Sequence, residues 1–153
     1  MTDIAVQHVM TTPGGTITFN NGTDDQYYLS DIPGLAGAPA RVVIDKRPFT
    51  DGGIYHPPFK DTRYFQPTGS LLITSTLNQN AIVVIRNAME EALRVAYESL
   101  LGGNGTWQWT PQGQASRTLT IRRDAQPVEF HHVDGFQVVD FSFGLVSVSP
   151  DWT

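Results

Sequence analysis

One stretch of the chain, about Asn80 to Leu101, repeats its apolar residues roughly every 3.6 positions, while the rest follows the two-residue period of β-strands. A lone helix cannot make a layer by itself. It must bury its stripe on a sheet, which restricts the chain to a β-sheet or barrel whose mouth or face one helix plugs. Turned at about 100° per residue, Ile82, Ile85, Met89, Ala92, Leu93, Ala96 and Leu100 share one stripe, and Val84, Ala88 and Val95 widen it to roughly half the circumference. Asn87, Glu90, Glu91, Arg94 and Glu98 occupy the other half, where Glu90–Arg94 and Arg94–Glu98 have the spacing for charge pairs. Asn80 reads as the N-cap, and Gly102-Gly103 as the end, where a left-handed residue is wanted.

The remaining pattern predicts about eight strands, without internal repeat or linker. Thr16 to Asn20 alternates, and Asn21-Gly22 signals a hairpin into a strand over Gln26 to Ser30. Asp31 to Pro39 is a Gly/Pro loop, Arg41 to Asp45 a short strand, and Lys46 to Asp61 a second loop containing Pro57-Pro58. Thr62 to Thr76 reads as one long strand or two, bent near Pro67 and Gly69. After the helix come Thr106 to Thr110, Ser116 to Arg123 and Val128 to Val133. A turn at Asp134-Gly135 then leads into the longest strand, Phe136 to Ser149, with Val139, Phe141, Phe143 and Leu145 on one face. The fold class expected is mainly β with one α-helix: a split β-barrel or rolled antiparallel sheet with a single packed helix.

Composition narrows the function. With 153 residues, 40% of them hydrophobic, the chain holds one domain with a real core. A net charge of −5 argues against general nucleic-acid binding, which needs clustered Lys and Arg. The absence of cysteine removes disulfides, thiolate catalysis and cysteine-based zinc sites. Met1 to Met10 lacks the pattern of a signal peptide, and no apolar run approaches the ~18 residues that span a bilayer. A soluble protein that folds in the cytoplasm is therefore expected, with the Asn-Gly-Thr sequences at Asn21 and Asn104 serving as turns.

The catalytic search is unproductive. His131 and His132 point to opposite faces of a regular strand and cannot share a metal; His132 with Asp134 lacks a third ligand. His56, beside Pro57-Pro58, reads as a loop anchor. Gly102 to Gly105 follows a helix, whereas phosphate loops precede one, and Gly34 to Gly37 precedes a strand without a lysine in Walker spacing. Ser70 has no nucleophile elbow around it. Asp24-Asp25 and Glu90-Glu91 read as solubility devices, and Tyr27, Tyr28, Tyr64, Phe65, Trp107 and Trp109 as core and interface aromatics. No catalytic residue, cofactor or metal ligand is expected.

The loops point elsewhere. Ile32, Leu35 and Pro39 lie in one, and Phe49, Ile54, Tyr55 and Phe59 in the other; loops exposed to water rarely hold so many apolar residues. They either fold back over the barrel or dock onto another chain. With the wide helix stripe, this fits a subunit whose neighbours complete its burial.

Gln26-Tyr27-Tyr28-Leu29, Ile32-Pro33-Gly34-Leu35, Pro39-Ala40-Arg41-Val42-Val43 and Asp51-Gly52-Gly53 with Arg63 follow one another in order. Next come Gly69 to Thr76 and a helix carrying Arg86, Met89, Glu90, Ala92 and Leu93. This order resembles the N-terminal domain of phage distal tail proteins of siphophages, from about Thr16 to Ser149. The resemblance implies a belt-type split barrel with one helix, and a homohexameric ring joining the tail tube protein to the trimeric tail-tip hub. It further implies a lumen that passes the tape-measure protein and then DNA, a place at the distal end of the virion tail after synthesis in the host cytoplasm, and no membrane partner. Many relatives carry a C-terminal carbohydrate-binding domain; here a single domain over residues 1–153 without one is expected. The assembly interface expected comprises Asn21, Gly22, Ile32, Leu35, Phe49, Tyr55, Phe59, Arg86, Glu90 and Arg94. Two rivals stand beside it: a tail tube or tail-completion protein, and a small flavin- or ligand-binding split-barrel enzyme using Arg41, Lys46, Arg47 and Arg63 for anions.

Overall fold

The computed structural model describes residues 6–35, 40–46, 53–60, 63–132 and 137–147, with the side chains of 40–46 and 53–60 left aside. Period-two patterning makes the strands. They are β1 (His8–Thr12), β2 (Gly15–Phe19), β3 (Asp25–Asp31), β4 (Ala40–Lys46), β5 (Gly53–Lys60), β6 (Arg63–Phe65) and β7 (Thr68–Ile73) before the helix. After it come β8 (Gly105–Trp109), β9 (Arg117–Arg123), β10 (Glu129–His132), β11 (Val138–Ser142) and β12 (Leu145–Ser147). In β7, β8 and β11 buried residues alternate with more exposed ones, as expected of strands with one face on a core.

Ten strands form one sheet in the order β10-β11-β7-β3-β2-β1-β8-β9-β12-β6, and β4-β5 form a separate pair. The two ends of the large sheet are linked by register. Arg63 to Phe65 pair with Ser147 to Leu145, and the same register resumes from Thr68 opposite Ser142 to Leu72 opposite Val138. Between the two stretches, the Phe143 N–H donates to the Pro67 carbonyl at 3.2 Å. β6–β7 and β11–β12 are thus two long strands, each bent once, and their pairing curls the sheet on itself. β2 and β3 meet through a single parallel rung, Phe19 opposite Tyr27, which makes a seam. The mainly-β class with one packed helix, expected from the pattern, is what the chain adopts.

The interior is aromatic. Phe19, fully buried, has Trp107 at 5.3 Å, Tyr27 at 5.9 Å, Phe141 at 6.0 Å and Phe143 at 6.2 Å between ring centroids. Met10, Leu71, Leu93, Leu119, Ile121, Val139 and Leu145 complete this core. A cluster of this size supplies the apolar burial, roughly 25 cal/mol per Å², that holds the layers together.

Helix α1 (Gln79–Glu98) lies on β1, β2 and β7 and ends in a 3₁₀ turn, Ser99–Leu101. Its buried residues are Ile82, Leu93, Ala96 and Tyr97, followed by Leu100 in the 3₁₀ turn. Tyr27 donates its hydroxyl to the Met89 carbonyl at 2.8 Å, fixing the middle of the helix to β3.

Several expectations are corrected. The N-cap is Asn78, whose Oδ1 accepts from the Ala81 N–H at 3.2 Å, two residues before Asn80. Gly102 has φ −106° and neither it nor Gly103 is left-handed, because the 3₁₀ turn terminates the helix and Ser99 Oγ satisfies the Ala96 carbonyl. The half-circumference stripe is narrower: Val84, Ala88, Ala92 and Val95 are exposed, while Tyr97 is buried. Arg94 pairs with Glu91 instead of Glu90 or Glu98; Glu98 pairs with Arg123, and Glu90 with His132. The side chains of β9 and β10 reach the helix and outcompete exposed i,i+4 pairs, which stabilise little.

Asn21-Gly22 does not close a hairpin. The hairpin that forms is β1–β2, through Pro13-Gly14, and residues 20–24 carry the chain into a strand parallel to β2. Positive φ at Asn20 (59°) and Gly22 (75°) makes that detour possible. Residues 53–60 of the second loop, prolines included, are strand β5. Phe136 to Ser149 is not one unbroken strand, since it stops at Phe143-Gly144 between β11 and β12. Among the described residues twelve strands replace the smaller expected number, because bends split two of them and the regions of β1 and β5 were not read as strand. The turn at Asp134-Gly135 lies outside the described residues.

Candidate functional site

The residues expected at an assembly surface fall in three places. Asn21 and Gly22 lie in the exposed loop between β2 and β3. Asn21 Oδ1 accepts from the Thr23 hydroxyl at 2.8 Å and from the Thr23 N–H at 3.2 Å, and the Gly22 N–H reaches Gln26 Oε1 at 3.3 Å. The loop is therefore held by its own side chains and projects as a formed turn.

Ile32 and Leu35 sit in the turn after β3, half-buried against the core of their own barrel. The Leu35 N–H bonds to the Ile32 carbonyl at 3.3 Å, and Arg63 Nη1 donates to the Leu35 carbonyl at 3.1 Å. Arg63 is only 2% exposed, so it braces this turn from inside and is not presented to an external anion. That removes Arg63 from the anion set of the flavin reading. Tyr55 and Phe59 fall in β5 and Arg41 and Lys46 in β4, whereas Phe49 and Arg47 lie outside the described residues.

The third place is the helix. Glu90 Oε1 is 2.8 Å from His132 Nε2, joining α1 to β10 at the edge of the sheet. Arg94 is exposed and paired with Glu91 one turn away. Arg86 is half-buried, with a buried Nε that finds no hydrogen-bond acceptor. Among the described residues, turn, brace and helix fall in separate places, and none of their residues lines the depression at Tyr64 and Asp124.

Residues with candidate chemistry have structural partners. Ser70 donates to Asp140 Oδ1 at 2.6 Å across β7 and β11. Asp25, expected only to aid solubility, accepts from the Ser75 hydroxyl at 2.7 Å and from the N–H groups of Thr74 and Ser75 at 3.2 Å each. It fixes the approach to the helix. Where β6–β7 and β11–β12 bend lies a shallow polar depression lined by Tyr64, Gln66, Asp124, Glu129 and Ser142. In it the Tyr64 hydroxyl donates to Asp124 Oδ2 at 3.1 Å; burial and the neighbouring carboxylate push that phenol's pKa up, so it stays protonated and hydrogen-bonded. Tyr27 is pushed by burial to about 12, which keeps its donor function toward Met89. Among the described residues no group of three His, Asp or Glu side chains is placed to hold a metal ion, and no helix is long and apolar enough to cross a membrane.

Sequence reasoning missed Tyr97, His8 and the Glu90–His132 pair. Tyr97 lies four residues after Leu93 and three before Leu100, so the helical wheel carried its signal. The pair joins residues 42 apart in sequence and had no local signature.

No protein-family model and no curated protein sequence matches this chain. The fold, in contrast, is similar to a solved one: the crystal structure of the SPP1 Dit (gp 19.1) protein, described as a paradigm of the hub adsorption apparatus in Gram-positive infecting phages. The TM-score is 0.59 at 13% sequence identity, over 94% of this chain and 50% of that one, so the chain spans about half the length of that protein and its fold is distantly Dit-like.

Proposed function

We propose that this chain is a structural, non-enzymatic phage tail protein of the distal tail type, whose copies form a homohexameric ring joining the tail tube to the tail-tip hub. The observation that carries the reading is the match of nearly the whole chain, barrel and helix together, to the fold of SPP1 Dit. Ring-building needs a rigid barrel and heterologous contacts, in which one patch meets a different patch on the next copy. The exposed 21–24 turn and the exposed flank of α1 are two separate surfaces that such contacts could use, which supports this reading. In this role the partners are further copies of the chain, the tube protein, the hub, and the tape-measure protein and DNA that cross the lumen. A net charge of −5 suits a channel through which DNA slides without sticking.

Light scattering on a size-exclusion column, with negative-stain images of any large species, tests the proposal. Six copies of the 16.9 kDa chain give about 100 kDa, and particles of that mass with an open centre are expected. A yellow dimer would reject the ring in favour of a flavin-binding barrel.

A further inference from the structure

Two features are left over once the barrel and its core are accounted for. The first is the β4–β5 hairpin, which among the described residues makes a two-stranded sheet of its own, with no ladder to the ten-stranded one. A lone two-stranded hairpin is marginal in water and gains from being covered. Its charge is also unlike that of the rest of the chain. Residues 40–60 hold four of the ten Lys and Arg (Arg41, Lys46, Arg47, Lys60) but two of the fifteen Asp and Glu (Asp45, Asp51), for a net +2; the remainder carries −7. This cationic segment also contains Val42, Val43, Ile44, Ile54, Tyr55 and Phe59.

The second feature is the outer flank of α1. Val84, Ala88, Ala92 and Val95, spaced four, four and three apart, form one row about 16 Å long on the helix surface. All four are exposed, Val84 at 68% and Val95 at 46%. The two alanines suit an exposed helix by propensity, whereas the two valines leave apolar surface in water that a neighbour could cover. Glu91 and Glu98, one turn to either side of Val95, are paired within the chain with Arg94 and Arg123, so the row itself carries no unpaired charge beside it.

We propose that the β4–β5 hairpin of one copy lies along the Val84–Ala88–Ala92–Val95 row of the next copy. The inference rests on the ring reading and supplies its contact. Charge favours it, since a segment at +2 meets a body at −7. Size favours it too: the eight residues of β5 extend about 27 Å, enough to cover the row. The contact is heterologous, hairpin to helix, so each copy offers both halves and the same step repeats from copy to copy.

The chain has no cysteine, so an introduced one is unique. Full-length Val95→Cys and Ile44→Cys chains carrying different tags would be mixed and treated with a short bis-maleimide. A product bearing both tags is expected. In a second preparation, Val84→Asp with Val95→Asp is expected to keep the circular-dichroism spectrum and melting of the parent while losing the species of about 100 kDa. Rings that persist in the aspartate variant, with no two-tag product, overturn the contact and leave the ring reading standing. Cross-linking inside one chain that carries both cysteines also overturns it, because the hairpin would then cover its own helix. A two-tag product in open chains of copies keeps the contact and removes the ring. A parent chain that stays monomeric at every concentration and yields no two-tag product rejects both.

Discussion

The hydroxyl of Tyr97 lies 2.8 Å from the carbonyl oxygen of Gly144, tying the last turns of α1 to the bend between β11 and β12. The same oxygen is 2.9 Å from the Gln126 carbonyl. The ring is fully buried, edge-on to Phe143 at 5.4 Å, with the Arg123 guanidinium 4.9 Å from its centroid. Burial raises the phenol's pKa, so the group remains a donor across the working range. One side chain thus serves the aromatic core and the polar bend together.

Replacing Tyr97 with Phe keeps the packing and removes the one hydroxyl proton that the Gln126 and Gly144 carbonyls share, while Gly144 still accepts from the Asp124 N–H at 3.1 Å. The expected loss is about 1–2 kcal/mol, read as a lower urea midpoint with an unchanged slope. A variant as stable as the parent would mean that water replaces the hydroxyl at no cost.

His8 makes stability depend on pH. The Trp107 indole N–H donates to His8 Nδ1 at 3.0 Å, so that nitrogen carries no proton, and burial lowers the imidazole pKa from 6.5 to about 4. As pH falls, the unfolded chain takes up the proton first. The contribution of His8 is therefore complete above about 6.5, declines as pH falls towards 4, and levels off below that. Its full size is about 3 kcal/mol. Urea titrations from pH 7 to pH 4 should show a shallower decline in His8→Gln than in the parent; equal slopes would assign the decline to other groups.

Two glycines should behave oppositely. A Cβ on Gly69 would stand 1.9 Å from the Tyr28 carbonyl oxygen, in the middle of the β3–β7 ladder, whereas one on Gly102 meets nothing within 4 Å. Gly69→Ala is expected to cost about 1–3 kcal/mol or to prevent folding, and Gly102→Ala to stay within about 0.5 kcal/mol. Thermal melts of the two variants side by side test the register at β3–β7.

Asn78→Ala removes the N-cap of α1 and leaves the Ala81 N–H without its acceptor. About 1 kcal/mol of destabilisation is expected, with helical circular dichroism largely kept because the buried face still holds the helix on the sheet. A loss of most helical signal would show the cap to be essential for the helix.

Arg94→Glu addresses assembly. The side chain is 60% exposed and pairs with the exposed Glu91, so folding should be unaffected. If this edge takes part in the ring, light scattering will show a lower fraction of the large species at equal concentration. Arg86 is half-buried and its reversal would confound folding with assembly, so the single substitution is the cleaner test.

Local periodicity made much of this fold legible. The helix from its 3.6-residue rhythm, β8 and β9 from their alternation, and the buried face of Val139, Phe141, Phe143 and Leu145 all follow from the side chains in order. What could not be read depends on distant partners. Asn-Gly is a hairpin signal only when the next strand turns back, and here Asn20 uses a left-handed conformation to send it onward. Pro57-Pro58 argued against a strand, yet prolines are tolerated in strands that lack a neighbour on one side, as in the two-stranded β4–β5 sheet. Of the surface residues, Ile32 and Leu35 show why composition alone cannot separate a docking loop from one that folds inward: both are apolar, and the Arg63 brace that fixes them comes from 28 residues away.

The seam between β2 and β3 has a mechanical meaning. Elsewhere the wall is secured by several rungs, but here one rung is supplemented by one side chain, Asn20, which donates to the Val6 carbonyl at 3.1 Å and accepts from the Leu29 N–H at 2.8 Å. A hoop with a single clasp yields at the clasp. Compression or twisting of the barrel would be taken up between Phe19 and Tyr27 before any antiparallel ladder is disturbed, and Asn20 sets the load at which the circumference gives.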